Sequence, residues 1–197
     1  MILIITILIS FLCGSIPSGY IITKKMCGID IRTVGSGNIG STNVKRVAGS
    51  KASIITQIID VAKGVTPVVV SIYLYDKLAL QVDKDTFLSM IAISAILGHN
   101  YTPFLKFKGG KGVNTTLGAF FFLAPIPTAA GIAIHFLLKV FTSIVSIRSI
   151  ATGIMLPLMC YILQFPMAIT NGALIACVLM IIRHKDNIVR LINNQEI

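Results

Sequence analysis

The first 23 residues carry no charged side chain, and a second apolar run, 52–75, is interrupted only by Asp60 and Lys63. A helix needs about 20 apolar residues to cross the hydrocarbon of a bilayer. Runs of this kind recur along the chain, at about 2–23, 52–75, 86–99, 112–124, 125–141, 149–164 and 165–182. The charged fraction is 12%, against about 25% in soluble domains. That is too little polar surface to coat a soluble particle of 197 residues. The expected fold is all-α: a polytopic integral membrane protein of about seven transmembrane helices, forming one domain over 1–197. The shorter spans are expected to tilt, or to pack inside the bundle. Pro125 and Pro127 divide 112–141, since proline disfavours a continuous helix. That stretch is either two crossings or a hairpin that does not cross. The first span lacks a basic leader and a small-residue cleavage site, so it reads as a retained helix rather than a signal peptide.

With seven crossings, basic residues gather on one face. Loop 24–51 holds Lys24, Lys25, Arg32, Lys45, Arg46 and Lys51. Loop 99–111 adds Lys106, Lys108 and Lys111, loop 139–148 adds Lys139 and Arg148, and the tail adds Arg183, Lys185 and Arg190. Only Lys63, Lys77 and Lys84 lie elsewhere. The positive-inside rule makes that face cytoplasmic, with the N-terminus outside and the C-terminus cytoplasmic. The net charge of +10 is therefore topological. No basic helix with interleaved aromatics and no zinc-finger spacing is present, so nucleic acid is not an expected partner. Cys13, Cys27, Cys160 and Cys177 form neither a C-x-x-C motif nor a Cys/His cluster, which points to no metal site and no disulfide framework.

The polar loops on the basic face carry the chemistry. Gly35-Ser-Gly-Asn-Ile-Gly-Ser-Thr-Asn-Val-Lys-Arg46 matches G-x-G-x-x-G. A dinucleotide fingerprint, however, needs a preceding strand, and here an apolar span precedes it. Its backbone amides, with Ser36, Asn38, Thr42 and Asn43, could form an anion cradle, and Arg46 offers a fork for phosphate. A merely flexible glycine loop is the other reading. In the second loop, Gly109-Gly110-Lys111-Gly112 opens a span, where amides at a helix start attract anions. It lacks the Walker spacing and the Ser/Thr after the lysine. It could equally be a basic turn that only fixes topology. His99 could serve catalysis, substrate binding or packing. Ser146 and Ser149 share a helical face, as do His184 and Asn187. Asp60 and Lys63, three apart inside a span, can pair, and intramembrane charges are functional suspects.

Taken in order, Gly14-Ser-Ile-Pro-Ser-Gly19, Gly35–Arg46, Asp60-x-x-Lys-Gly64, Gly98-His99, Phe107–Val113, Val145-Ser-x-x-Ser-Ile150 and Arg183-His-x-x-Asn-Ile-x-Arg-Leu191 closely resemble the bacterial acyl-phosphate:glycerol-3-phosphate acyltransferase family, PlsY. The resemblance covers nearly the whole chain. It implies a multi-pass enzyme of the bacterial cell membrane with its active site facing the cytoplasm. It further implies acyl transfer from acyl phosphate to the 1-hydroxyl of sn-glycerol 3-phosphate, giving lysophosphatidic acid and phosphate, without metal or cofactor. The expected partners are those two substrates and membrane lipid, with the protein acting as a monomer. By resemblance, Ser36 and Arg46 are the essential pair of the first motif, and Gly109, Gly110 and Lys111 form the phosphate-binding second motif. Ser149 binds substrate, His184 and Asn187 support activity, and Glu196 is structural. Gly35, Gly37, Asn38, Thr42, Asn43 and His99 are expected to line the substrate site, and Asp60 and Lys63 to be structural. Ser41, Asn114, Arg148 and Asn194 depart from the family pattern. A small phosphate-solute transporter or channel is the rival from another class, and a non-catalytic membrane scaffold is a third reading.

Overall fold

The first apolar run folds as two helices. In the computed structural model, which describes residues 1–196, α1 spans Ile2–Gly14 and α2 spans Ser18–Cys27. Pro17 sits at the break, where it has no N–H to continue the ladder. The second run is longer than expected at its start: α3 covers Ser41–Leu74. It is not straight. Gly49 adopts φ 82°, a conformation that costs glycine little. The Ser53 hydroxyl donates to the Ser41 carbonyl at 2.8 Å. Twelve residues of straight helix would hold these groups about 18 Å apart. The chain therefore doubles back at Gly49, laying the first turns of α3 against the longer apolar part.

Helix α4, Lys84–Asn100, starts at an Asp83 cap whose side chain accepts from the Thr86 amide at 2.9 Å. It is the central helix: Phe87, Ile91, Ala92 and Ala95 are fully buried, and it packs against α1, α3, α5 and, near the far end of the chain, α8. Its contact with α1 is backbone-close. A Cβ on Gly14 would lie 2.0 Å from the Ala95 carbonyl, and one on Gly98 would lie 2.1 Å from that of Phe11. Ser10 donates to the Ile91 carbonyl and Ser94 to that of Ile7, both at 2.7 Å. Small residues and hydroxyls are what hold helices together where lipid removes the hydrophobic drive.

The expected fourth span, 112–124, is corrected. It contains only α5, Val113–Phe120, followed by a turn. Eight residues of helix reach about 12 Å, well short of a 30 Å hydrocarbon core. Helix α5 packs on α3, with Gly64 and Gly118 set against the opposing backbone. The prolines do divide the stretch: Pro125 begins α6, Pro125–Phe141, where its missing N–H costs nothing. Then come α7 (Val145–Ile162), α8 (Met167–Arg183) and α9 (Lys185–Ile192), the last bent 55° from α8.

The exterior is greasy, and the interior holds polar groups beside its apolar core. Ile4, Leu8, Ile54, Ile58, Leu158 and Leu174 are exposed, while Thr56, Asp60, Lys63, His99 and Asn100 are buried. A water-soluble fold would show the reverse. Among the described residues, three stretches can cross a membrane by length and composition: 2–27, 41–77 and 145–162. The bent pair α8–α9 makes a fourth, and α6 is a shorter apolar helix.

Candidate active site

Asn43 builds the first loop. Its side chain is buried, and its Oδ1 accepts from the Ser36 amide at 3.0 Å. Its Nδ2 donates to the carbonyls of Asn38 (2.9 Å) and Val34 (3.1 Å). Gly35 and Gly37 take positive φ, 60° and 68°, to close the turn. A Cβ on Gly35 would sit 2.3 Å from Asn43 Oδ1. The Gly37 amide donates to the Val34 carbonyl, and the Gly40 amide to Asn38 Oδ1. So the expectation of a backbone cradle is corrected. The amides of residues 36, 37 and 40 are engaged within the loop, and Asn43 is its internal brace. Asn43→Ala is expected to strip several buried partners at once. At about 1–3 kcal/mol for each buried group left unsatisfied, the loop should lose its shape. Activity should fall at least tenfold, with protection of the 34–40 amides in hydrogen exchange lost in parallel.

The second loop is also braced internally. The Gly109 and Gly110 amides donate back to the Asn100 and His99 carbonyls, at 3.2 and 3.0 Å. Arg183 grips the same turn from α8, with Nε to the Gly110 carbonyl (3.0 Å) and Nη2 to that of Gly109 (2.8 Å). Its guanidinium lies over the Tyr101 ring, 5.2 Å from the ring centre. The amides of Gly109 and Gly110 therefore do not face an anion; the glycines allow close packing, and Lys111 supplies the charge. Gly112, at φ 81°, turns the chain into α5.

The tail closes the site. Lys111 Nζ donates to Asn187 Oδ1, and Asn187 Nδ2 donates to Glu196 Oε1. Arg190 Nε donates to Glu196 Oε2 at 2.6 Å. Burial opposes ionisation of Glu196, but the hydrogen bonds from Asn187 and Arg190 outweigh it and hold its pKa below the usual value. Burial pushes Lys111 down to about 8. His184 is buried, with Nδ1 2.8 Å from the Met180 carbonyl. A carbonyl only accepts, so Nδ1 carries the proton. Burial, then the Lys111 charge, pushes His184 down to about 4, leaving it neutral near pH 7.

Two confluent cavities result. The smaller, about 100 Å³, is lined by Ser36, Asn38, Lys111, Arg183, Lys185, Asp186, Asn187 and Arg190, with Ile182 as its apolar wall. The larger, about 440 Å³, shares Ser36, Asn38, Arg183 and Asp186 with it, and adds Asp30, Arg32, Gly37, Lys108 and Gly109. Asp30 is bound to Arg32 at 2.6 Å; the hydrogen bonds from Arg32 hold its pKa down to about 2. Thus the structure brings Ser36, Gly37, Asn38, Gly109, Lys111 and Asn187 together at the cavities. Gly35, Asn43 and Gly110 shape their walls. Thr42 and Arg46 are exposed on the first turns of α3, and Arg46 lies near enough to Lys111 for its charge to lower the lysine's pKa. Ser149 is buried on α7, and neither it, His184 nor His99 lines either cavity.

Residues 4–194 match the family model for glycerol-3-phosphate acyltransferase. The chain belongs to the glycerol-3-phosphate acyltransferase family. It is 60% identical to the glycerol-3-phosphate acyltransferase of Clostridium acetobutylicum over 99% of this chain and 98% of that one. It is 44% identical to that of Endomicrobium trichonymphae over 98% and 94%. Two crystal structures of PlsY, an integral membrane glycerol 3-phosphate acyltransferase, superpose on it. The glycerol 3-phosphate form gives a TM-score of 0.91 at 31% identity, and the lysophosphatidic acid form 0.89 at 30%. Each comparison covers all of this chain and 95% of the other. The protein is thus an integral membrane acyltransferase of phospholipid synthesis, which removes the ground for the transporter and scaffold readings.

Sequence reasoning missed Arg183, Lys185, Asp186 and Arg190 as cavity residues of this acyltransferase, and Arg32 and Lys108 with them. A signal was present. Arg183, Asn187 and Arg190 are spaced four and three apart, one helical face, around the Asn187 already singled out. Two departures from the family pattern also turn out to be neighbours: Asn114 Nδ2 donates to Ser41 Oγ at 3.3 Å, linking the two loops.

Proposed function

We propose that the protein transfers a fatty acyl group from acyl phosphate to the 1-hydroxyl of sn-glycerol 3-phosphate, releasing lysophosphatidic acid and phosphate. The observation that carries this reading is the pair of confluent basic cavities. Both substrates bear a phosphate, and the two must meet. The smaller cavity, with Lys111, Lys185, Arg190 and Asn187, suits the phosphate of glycerol 3-phosphate. The larger, with Arg32, Lys108 and Arg183, suits the head of acyl phosphate, with Ser36 and Asn38 at the junction. Arg46, Ser149 and His184 complete the acceptor side as the bound substrate draws the loops together.

The chemistry needs little from the protein beyond charge and placement. The acceptor hydroxyl oxygen attacks the acyl carbonyl carbon, and the bond from that carbon to the phosphate oxygen breaks. The hydroxyl proton passes to a phosphate oxygen of the donor. Cations fixed around the cavities stabilise the charge that grows on the carbonyl and leaving phosphate. Holding both reactants side by side supplies much of the rest. The chain is a multi-pass protein of the cell membrane, with the cavities on the cytoplasmic face, and works as a monomer.

Purified protein in lipid, given palmitoyl phosphate, is expected to release phosphate only when sn-glycerol 3-phosphate is present, with lysophosphatidic acid formed in equal amount. Release independent of the acceptor, from protein that is folded, would overturn the reading.

A further inference from the structure

Three buried polar side chains outside the cavities converge on one buried carboxylate. Asp60 Oδ1 accepts from Ser18 Oγ at 2.6 Å and pairs with Lys63 Nζ at 2.9 Å. Lys63 Nζ also donates to the Ile16 carbonyl at 2.7 Å, a group freed by the break between α1 and α2. His99 Nδ1 faces the same oxygen at 3.6 Å, beyond hydrogen-bond length but within ion-pair reach. The other edge of that imidazole faces the second loop. A Cβ built on Gly110 would lie 2.1 Å from His99 Nε2 and 2.8 Å from Cε1, and its three nearest atoms all belong to the ring. The loop's backbone rests on the same residue, through the Gly110 amide to the His99 carbonyl. Lys111 follows directly.

We propose that His99, held by Asp60, is a positioning residue for Lys111: the imidazole is the wall against which the Gly109–Gly110–Lys111 turn is seated, opposite the Arg183 clamp. His99 is neither a substrate ligand nor the base, for it is 4% exposed and lines neither cavity. The two supports act from opposite sides. Arg183 pulls on the carbonyls of Gly109 and Gly110, and His99 blocks the turn from collapsing toward α4. Glycine at 110 and histidine at 99 are therefore one steric unit. Losing the ring lets the turn slump; adding a methyl at 110 pushes it off the ring. Either shift displaces the ammonium that follows.

The inference rests on the proposed reading, in which Lys111 meets the acceptor's phosphate, and the test separates the two. Wild type, His99→Ala, Gly110→Ala and the double variant are compared by kcat and by KM for glycerol 3-phosphate. A displacement of about 1 Å at a reacting group can cost about 10²-fold, so each single variant should lose about that in kcat/KM while keeping its thermal midpoint in detergent. Because the three atoms nearest the added methyl all belong to the ring, Gly110→Ala should cost less than about threefold once His99 is alanine. A double variant that loses the product of the two single losses, about 10⁴-fold, would show independent roles and overturn the proposal. So would a His99→Ala enzyme with wild-type kcat/KM. Should His99→Ala not survive purification, His99→Ser vacates the same space and carries the same comparison. Absence of acceptor-dependent turnover in the wild type would instead sink the functional reading.

Discussion

Replacing Lys111 with methionine is expected to lower kcat/KM for glycerol 3-phosphate by about 10³-fold without unfolding the protein. Removal of one preorganised stabilising group at a reacting centre typically costs about 10²–10³-fold. Lys111 is the cation that both the loop geometry and the tail single out. Its ammonium lines the smaller cavity and donates to Asn187, whose amide is in turn held by Glu196. Its backbone is fixed from both sides, so the charge stands where the acceptor's phosphate must go. Methionine has similar length and is expected to leave the half-buried stem packed. A variant within tenfold of wild type, at unchanged elution and thermal midpoint, would remove Lys111 from the mechanism.

The same residue sets a pH limit. Burial pushes Lys111 down to about 8, with the charges of Arg190 and Arg46 adding to the effect and those of Glu196 and Asp186 opposing it. The protonated amine is the form that holds phosphate. Binding of the acceptor should therefore be full well below pH 8 and fall as pH rises through it, which appears as an alkaline limb in kcat/KM. In Lys111→Arg the side chain stays charged throughout, so whatever activity survives should lack that limb.

Much of this was legible in the sequence because membranes impose simple rules. Apolar runs, two helix-breaking prolines and the distribution of lysine and arginine were enough to name helices α4, α6, α7 and α8, and the longer apolar part of α3, within a few residues. What was hidden depended on long-range partners. Nothing local says that 41–48 is helical and folded back, since that rests on the positive φ of Gly49 and the Ser53–Ser41 hydrogen bond. Residues 112–124 are apolar enough to resemble a span, but Gly118 and Gly64 hold a short helix against α3 inside the protein. The site shows the same division. Gly35, Ser36, Gly109 and Lys111 could be picked out because glycine and lysine in such loops suggest phosphate. Their amides were misread because the groups that occupy them, Asn43 and the carbonyls of residues 99 and 100, reach them only when each loop folds back on itself. Arg183 stood only as one of the basic residues of the tail. Its role appears only when the Gly109–Gly110 turn is seen to lie against it.

The second large effect is on stability. Asp60→Ala is expected to destabilise the protein by about 3–5 kcal/mol, the range for removing one partner of a buried ion pair. The size follows from what the substitution strands. Lys63 Nζ would keep only the Ile16 carbonyl, Ser18 would lose its acceptor, and His99 would lose the carboxylate it faces. All three side chains are buried, and no water from the bulk can replace the lost charge without opening the bundle. The break between α1 and α2 should loosen with them, because the Ser18 hydroxyl that opens α2 is tied to α3 through Asp60. Asp60→Leu combined with Lys63→Met removes both charges, and apolar replacement of a whole buried pair is often close to neutral. The double variant should therefore regain most of the thermal midpoint in detergent that Asp60→Ala loses. Its activity should stay low, because the apolar pair restores packing but leaves His99 without the group that holds it. Recovery of stability and activity together would mean that the buried pair serves the fold alone; failure to recover stability would mean that the carboxylate contributes through Ser18 and His99 more than through Lys63.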